Sequence, residues 1–178
     1  ARVAAGESPG MFETTLRTKD GRLCHVEGSV TVRVENGVPT ATRGIFRDVT
    51  ARKAIDRALR QSEEKYGLMI RSSRDAIITL HPPDWHFASG NPAAVALFGA
   101  SSEAELCAAP PWELSPDAQP DGRRSTDAAL ERIETALRAG ACAFEWVHRR
   151  FDGREFVAAV LLSRVEQNNA AYVLATLR

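Results

Sequence analysis

Phe12-Glu13-Thr14-Thr15-Leu16-Arg17-Thr18-Lys19-Asp20-Gly21-Arg22 and Phe144-Glu145-Trp146-Val147-His148-Arg149-Arg150-Phe151-Asp152-Gly153-Arg154 place the same marks, Phe-Glu and then Asp-Gly-Arg, 132 residues apart. Ile45-Phe46-Arg47 and Thr176-Leu177-Arg178 recur at an offset of 131, so one residue is expected to be lost in the turn between. Self-similarity of this kind is the signature of a repeated structural unit. In each copy alternating apolar residues flank Asp-Gly, and a second turn follows at Asn36-Gly37 or Asn168-Asn169. Asp-Gly and Asn supply the positive φ that tight hairpins need, so each copy reads as an antiparallel three-stranded meander.

Between the copies, Asp48-Val49-Thr50-Ala51-Arg52-Lys53 leads into a helical stretch ending near Ile70. Asp48 is expected to cap it, accepting from the free amides of the first turn. Ile55, Leu59, Ser62, Tyr66 and Met69 alternate spacings of four and three. That is the seam of a short coiled coil or the face of a helix packed on its own domain.

Downstream, Ala76-Ile77-Ile78-Thr79-Leu80 and Trp85-His86-Phe87-Ala88-Ser89 read as strands joined at Pro82-Pro83-Asp84. Asn91-Pro92-Ala93 opens a short helix through Phe98, with Asn91 as its cap and Pro92 at the first helical position, and Gly99 stops it. A brief helix is expected over Ser101–Leu106 and an irregular Pro-rich stretch over Pro110–Pro120. A longer helix is expected from Thr126 to Ala139, with Leu130, Ile133 and Leu137 on its buried face.

Composition bounds the function. With 44% hydrophobic and 26% charged residues the chain has the make-up of a packed protein rather than a disordered one. Its 178 residues suffice for one full domain and part of another, at about 100 to 150 residues per domain. Lys plus Arg equals Asp plus Glu at 23 each, so no basic field exists to attract nucleic acid. Cys24, Cys107 and Cys142 form no CxxC pair, and neither a metal site nor a disulfide framework is expected. The cysteines read as reduced, which makes the expected location cytoplasmic. No run approaches the roughly 18 to 20 apolar residues that span a bilayer, so direct membrane contact is not expected of this segment, with an anchor elsewhere in the parent protein left open.

The order strand, strand, short helices, longer helix, three strands resembles the PAS fold. The resemblance rests on Ser62-Glu63-Glu64-Lys65-Tyr66, Asp75-Ala76-Ile77, Asn91-Pro92-Ala93, Phe144-Glu145 and Asp152-Gly153, and on Asp48-Val49-Thr50 with Arg52-Lys53, which is similar to the exit signature by which PAS modules hand over to a signalling helix. It implies an α+β architecture: an antiparallel five-stranded sheet with helices on one face, preceded by a three-stranded partial meander and a linking helix. The expected divisions are 1–47, the C-terminal part of a first module; 48–70, the linking helix; and 71–178, a second module.

The resemblance also implies a regulatory role in a bacterial signalling protein, such as a sensor histidine kinase or diguanylate cyclase, with any effector beyond Arg178. No nucleophile and base stand at catalytic spacing, so the fragment is not read as an enzyme. Asp48 and Thr50 become signal-relay candidates. PAS ligands lie between sheet and helices, which makes Phe98, Trp112, Phe144, Trp146 and His148 the candidate ligand-binding residues. Core packing is the alternative for Phe144 and Trp146, and a partly exposed ring near the hairpin for His148. The ligand itself is unknown. Haem is disfavoured because the helix Thr126–Ala139 holds no His, Cys or Met, and covalent flavin because no Asn-Cys-Arg-Phe sequence occurs. Cys107 and Cys142 are expected to be small buried hydrophobes.

One comparison between the copies is independent of the family. Along the strand after Asp-Gly, His25, Glu27, Ser29 and Thr31 in the first copy are replaced by Val157, Ala159, Leu161 and Ser163 in the second. If that face is the outside of the sheet, it calls for a cover, either the linking helix or a partner protomer. A homodimer using Ile55, Leu59, Tyr66, Val157, Ala159 and Leu161 is the expectation. A ligand-free dimerisation or spacer module is the alternative to a ligand sensor.

Overall fold

The computed structural model describes residues 10–168 and 170–178. Asn169, half of the second expected Asn turn, and residues 1–9, the head of the first expected module, lie outside the described residues. The chain divides into two compact units, Ala1–Lys65 and Tyr66–Arg178, with the division inside one continuous helix.

In the first unit, β1 (Phe12–Arg17), β2 (Leu23–Glu35) and β3 (Val38–Asp48) form an antiparallel meander. Phe12 and Phe46 both lie opposite Gly28, one on each neighbouring strand, and their rings meet edge to face at 6.0 Å. A Cβ on Gly28 would stand 2.2 Å from the Ile45 backbone oxygen and 2.7 Å from Phe46 Cδ1, so glycine is what lets both the neighbouring strand and the Phe46 ring close on the central strand. The helix α1 (Thr50–Ser72) begins here. Asp48 Oδ1 accepts from the Thr50 amide at 2.8 Å, so the expected cap acts from the end of β3, one residue further out than an ordinary N-cap. Hydrogen bonds from the Thr50 side chain and backbone hold the exposed Asp48 carboxyl below the usual carboxylate range. Thr50 Oγ1 accepts from the His25 amide at 2.8 Å, Val49 N donates to His25 O at 2.8 Å, and Arg52 pairs with Glu27 at 3.0 Å. Lys53 pairs with Glu13.

The second unit contains β4 (Ala76–His81), β5 (His86–Gly90), α2 (Pro92–Phe98), α3 (Glu103–Ala108), α4 (Ser125–Ala139), β6 (Ala141–Arg149), β7 (Glu155–Gln167) and β8 (Ala170–Leu177). Its five strands run in the order β5-β4-β8-β7-β6. Alternation places Ile78 and Leu80 of β4, Val160 and Leu162 of β7, and Val173, Ala175 and Leu177 of β8 in one buried layer. Phe98 of α2, Leu106 of α3, and Ala128, Ile133 and Ala136 of α4 pack in the same core. The α4 face differs from expectation: Leu130 is exposed, because the small residues Ala128 and Ala136 centre the buried stripe and leave Leu130 at its margin. Trp85 belongs to the turn before β5 rather than to the strand, having φ of 55°. Cys107 and Cys142 are half-buried rather than fully enclosed, and burial with nearby Glu103 pushes the Cys107 thiol up.

The repeat is reproduced in hydrogen-bond register, with one correction. Phe12 opposes Gly28 as Phe144 opposes Val160, an offset of 132, and Gly28 opposes Phe46 as Val160 opposes Leu177, where the offset has fallen to 131. The offset is still 132 beyond the turn, since Val34 opposes Pro39 and Glu166 opposes Ala171. It becomes 131 only at Ala41 and Tyr172, which oppose Arg33 and Val165. The extra residue of the first copy is therefore Thr40, unpaired in a β-bulge within β3, and not a turn residue.

Candidate functional site

A side-chain amide lies where three elements of the second unit begin or end. Asn91 is 5% exposed, and its carboxamide uses all four of its hydrogen-bonding positions. Oδ1 accepts from Ala94 N at 2.9 Å, the capping bond of α2, and from Ile77 N at 3.0 Å on β4. Nδ2 donates to Ile70 O at 3.1 Å in the last turns of α1 and to Asp75 O at 3.0 Å just before β4. The capping role expected of Asn91 is thus half of what it does. Asp75 also receives Arg178 in a two-pronged ion pair at 2.9 and 2.8 Å.

Between the sheet and the helices lies an apolar cavity of about 70 Å³. Four of the five candidate ligand-binding residues, Phe98, Phe144, Trp146 and His148, line it together with Ile78, Leu80, Phe87, Ile133, Val160 and Leu162. Trp112 does not. It stands edge to face with His86 at 6.1 Å and borders a separate polar depression with Asp117, Arg124 and Arg149.

The polar groups in the cavity wall differ in their satisfaction. Trp146 Nε1 donates to Ser115 Oγ at 3.0 Å, and Ser115 Oγ donates to Pro111 O at 3.3 Å. The His148 ring is stacked on Phe156 and edge to face with Phe98, with centroids 5.3 Å away in both cases. Its Nε2 is buried with no hydrogen-bond partner. Burial lowers the His148 pKa to about 4, against a smaller opposing effect of a hydrogen bond to the Leu114 backbone. The imidazole is therefore neutral near pH 7.

The Pro-rich segment before α4, irregular as expected, covers one sheet edge. Gln119 Oε1 accepts from Val147 N at 3.0 Å while its Nε2 donates to Val147 O at 3.2 Å and to Ser125 Oγ at 2.8 Å. Leu114 O accepts from Arg149 N at 2.8 Å. Since β6 ends the sheet, Gln119 and Leu114 stand in for a missing strand and satisfy its edge. Periodicity gives no sign of Ser115 or Gln119, because neither lies in a regular element. Ile78, Leu80, Val160 and Leu162 were within reach of period-two alternation.

Ile55, Leu59, Tyr66 and Met69 are exposed, and α1 has no buried residue. Val157, Ala159 and Leu161 are exposed on the outer face of β7, and no described segment of the second unit covers them. Among the described residues no group of three or more His, Cys, Asp or Glu side chains could hold a metal ion, and no helix is long and apolar enough to cross a membrane.

An antiparallel five-stranded sheet with helices packed against it and a small cavity between them defines the class as an α+β domain. The PAS domain family model matches residues 2–51 and 74–178, and the chain belongs to that family. Sporulation kinase A of Bacillus subtilis is 30% identical over 105 residues, which span 59% of this chain and 17% of that protein. A PAS domain of a two-component sensor histidine kinase shares the fold with a TM-score of 0.52 and 20% identity, over 66% of this chain and 96% of that one. The PAS domain of an HTR-like protein from Haloarcula marismortui gives a TM-score of 0.57 and 21% identity, over 71% and 98%. The chain is a PAS region of a signalling protein, with the signal-sensing, regulatory character of that family.

Proposed function

We propose that the second unit is a sensory relay in a cytoplasmic bacterial signalling protein, in which a change in the interior between sheet and helices alters the hold on the C-terminal end of α1. The observation that carries this reading is Asn91. One buried carboxamide joins Ile70 of the incoming helix, the first strand at Ile77 and the helix α2, whose Phe98 lines the cavity. Movement of α2 would therefore be felt at Ile70 through a single side chain, and α1 would carry it as a shift between helix arrangements. Asp48 and Thr50 would serve the corresponding handover at the other end of the helix. Effector activity would reside in other parts of the parent protein.

Hydrogen exchange of the Asn91→Ala chain tests the relay. The expected result is exchange about tenfold faster or more in the last turn of α1 and at Ile77, with β7 and β8 little changed. If the increase is confined to α2, Asn91 is a helix cap only and the relay reading is lost.

The small cavity favours a second reading, a dimerisation or spacer module with a side-chain-filled core. About 70 Å³ is well under the roughly 300 Å³ at which ordinary ligand pockets begin. The exposed seam of α1 and the outer face of β7 would then form a homodimer interface.

A further inference from the structure

Resting on the relay reading above, which brings α1, β4 and α2 together at Asn91, a second side chain adds the last strand of the sheet to the same junction. Ala76 of β4 lies opposite Leu177 of β8, so Asp75 and Arg178 are the next facing pair outward, with opposite charges. Arg178 Nε and Nη2 both donate to Asp75 Oδ2, at 2.9 and 2.8 Å. The backbone of Asp75 is engaged as well. Its N–H donates to Ser73 Oγ at 3.2 Å, and its carbonyl accepts from Ser73 Oγ at 3.3 Å and from Asn91 Nδ2 at 3.0 Å. From there both routes end on one atom: Ile70 O, in the last turn of α1, accepts from Ser73 N at 3.3 Å and from Asn91 Nδ2 at 3.1 Å. Ser73, Arg74 and Asp75 are all that separate α1 from β4, so a displacement of residue 75 has no slack in which to be absorbed.

We propose that Asp75 and Arg178 form a latch between the end of β8 and the end of α1: the ion pair fixes residue 75, and residue 75 sets how firmly Ser73 and Asn91 hold Ile70. A displacement of the end of β8 then reaches α1 without passing through the interior between sheet and helices. Exposure sets the strength of the latch. The side chain of Asp75 is 32% exposed and that of Arg178 75%, so water and salt screen the pair and its hold is weak. A weak hold can be opened and reclosed, and it biases the helix end by a few-fold instead of locking it.

Hydrogen exchange of the whole chain tests the latch with four variants: Asp75→Asn, Arg178→Gln, the two combined, and the charge exchange Asp75→Arg with Arg178→Asp. The expected result is exchange about threefold faster at Ser73 and in the last turn of α1 for either single variant, with no further gain when the two are combined. The charge-exchanged chain should recover most of the protection. Raising salt to about 0.5 M should speed the same amides in the native chain and leave the combined variant unchanged. Acceleration confined to the ends of β4 and β8, or additive effects of the two single variants, overturns the latch. If Asn91→Ala loosens the end of α1 while Arg178→Gln does not, the latch falls and the relay reading stands; if neither loosens it, both fall.

Discussion

His148 should impose a pH dependence on the stability of the second unit. Its pKa is about 4 in the folded protein against an ordinary 6.5. Between those values the unfolded chain holds the proton and the folded one does not, so stability is complete above the window and falls as pH falls through it. With these two values the loss between pH 7 and pH 5 is about 2 kcal/mol. Replacing His148 with Phe removes the titrating group but keeps a ring stacked on Phe156 and edge to face with Phe98. Urea unfolding followed by tryptophan fluorescence isolates the unit, because Trp85, Trp112 and Trp146 all lie within it. The native chain is expected to lose about 2 kcal/mol more than His148→Phe over that pH interval, carboxylate contributions cancelling in the difference. At pH 7 the variant should be at least as stable, since it no longer buries an unsatisfied nitrogen. Equal pH slopes for the two proteins would refute a half-buried His148 that stays neutral in the folded protein down to about pH 4.

Gln119→Ala strips the edge of β6 of its side-chain partner and leaves Val147 N unpaired. A loss of about 1 to 3 kcal/mol is expected, with faster hydrogen exchange at Val147 and through the segment before α4; unchanged protection there would show that the segment holds without it. Leu161→Glu places a charge on the exposed apolar face of β7 and is expected to weaken self-association; an unchanged mass by light scattering together with unchanged protection of α1 would sink the role of that face. Phe98→Ala, which empties a fully buried site between α2 and the sheet, should cost about 3 to 5 kcal/mol in the same urea assay, and a loss under about 1 kcal/mol would mean the site is not packed as described.

Most of the architecture was legible because the second unit obeys short-range rules. Asp-Gly marked the hairpin between β6 and β7, and Asn-Pro and Gly99 bounded α2. Three of the inner wall residues, Phe144, Trp146 and His148, follow from one strand's alternation, and Phe98 from the end of a short helix. Trp112 was misplaced because an irregular segment has no period from which direction can be read. The same lack hid Ser115 and Gln119, whose importance comes from partners 31 and 28 residues away on β6. Asn91 was half legible: its cap is a local event, but its bonds to Ile70 and Asp75 reach back 21 and 16 residues.

The two meanders show how one backbone supports different chemistry. Both keep a phenylalanine on the first strand opposite the same position of the second, and both keep the third strand's large apolar residue opposite it in turn. In the first copy that central position is Gly28, and the gap is closed by Phe12 and Phe46 from either side. In the second it is Val160, which fills the gap itself and faces the helices of its own unit. On the opposite face Glu27 holds Arg52 of α1, whereas Ala159 at the same register has nothing to hold. The repeat thus preserves pairing, which depends on the backbone. What it exchanges is the side chains that decide how each sheet is covered: by aromatic contacts and ion pairs in the first unit, and by packed helices on one face and exposed apolar residues on the other in the second.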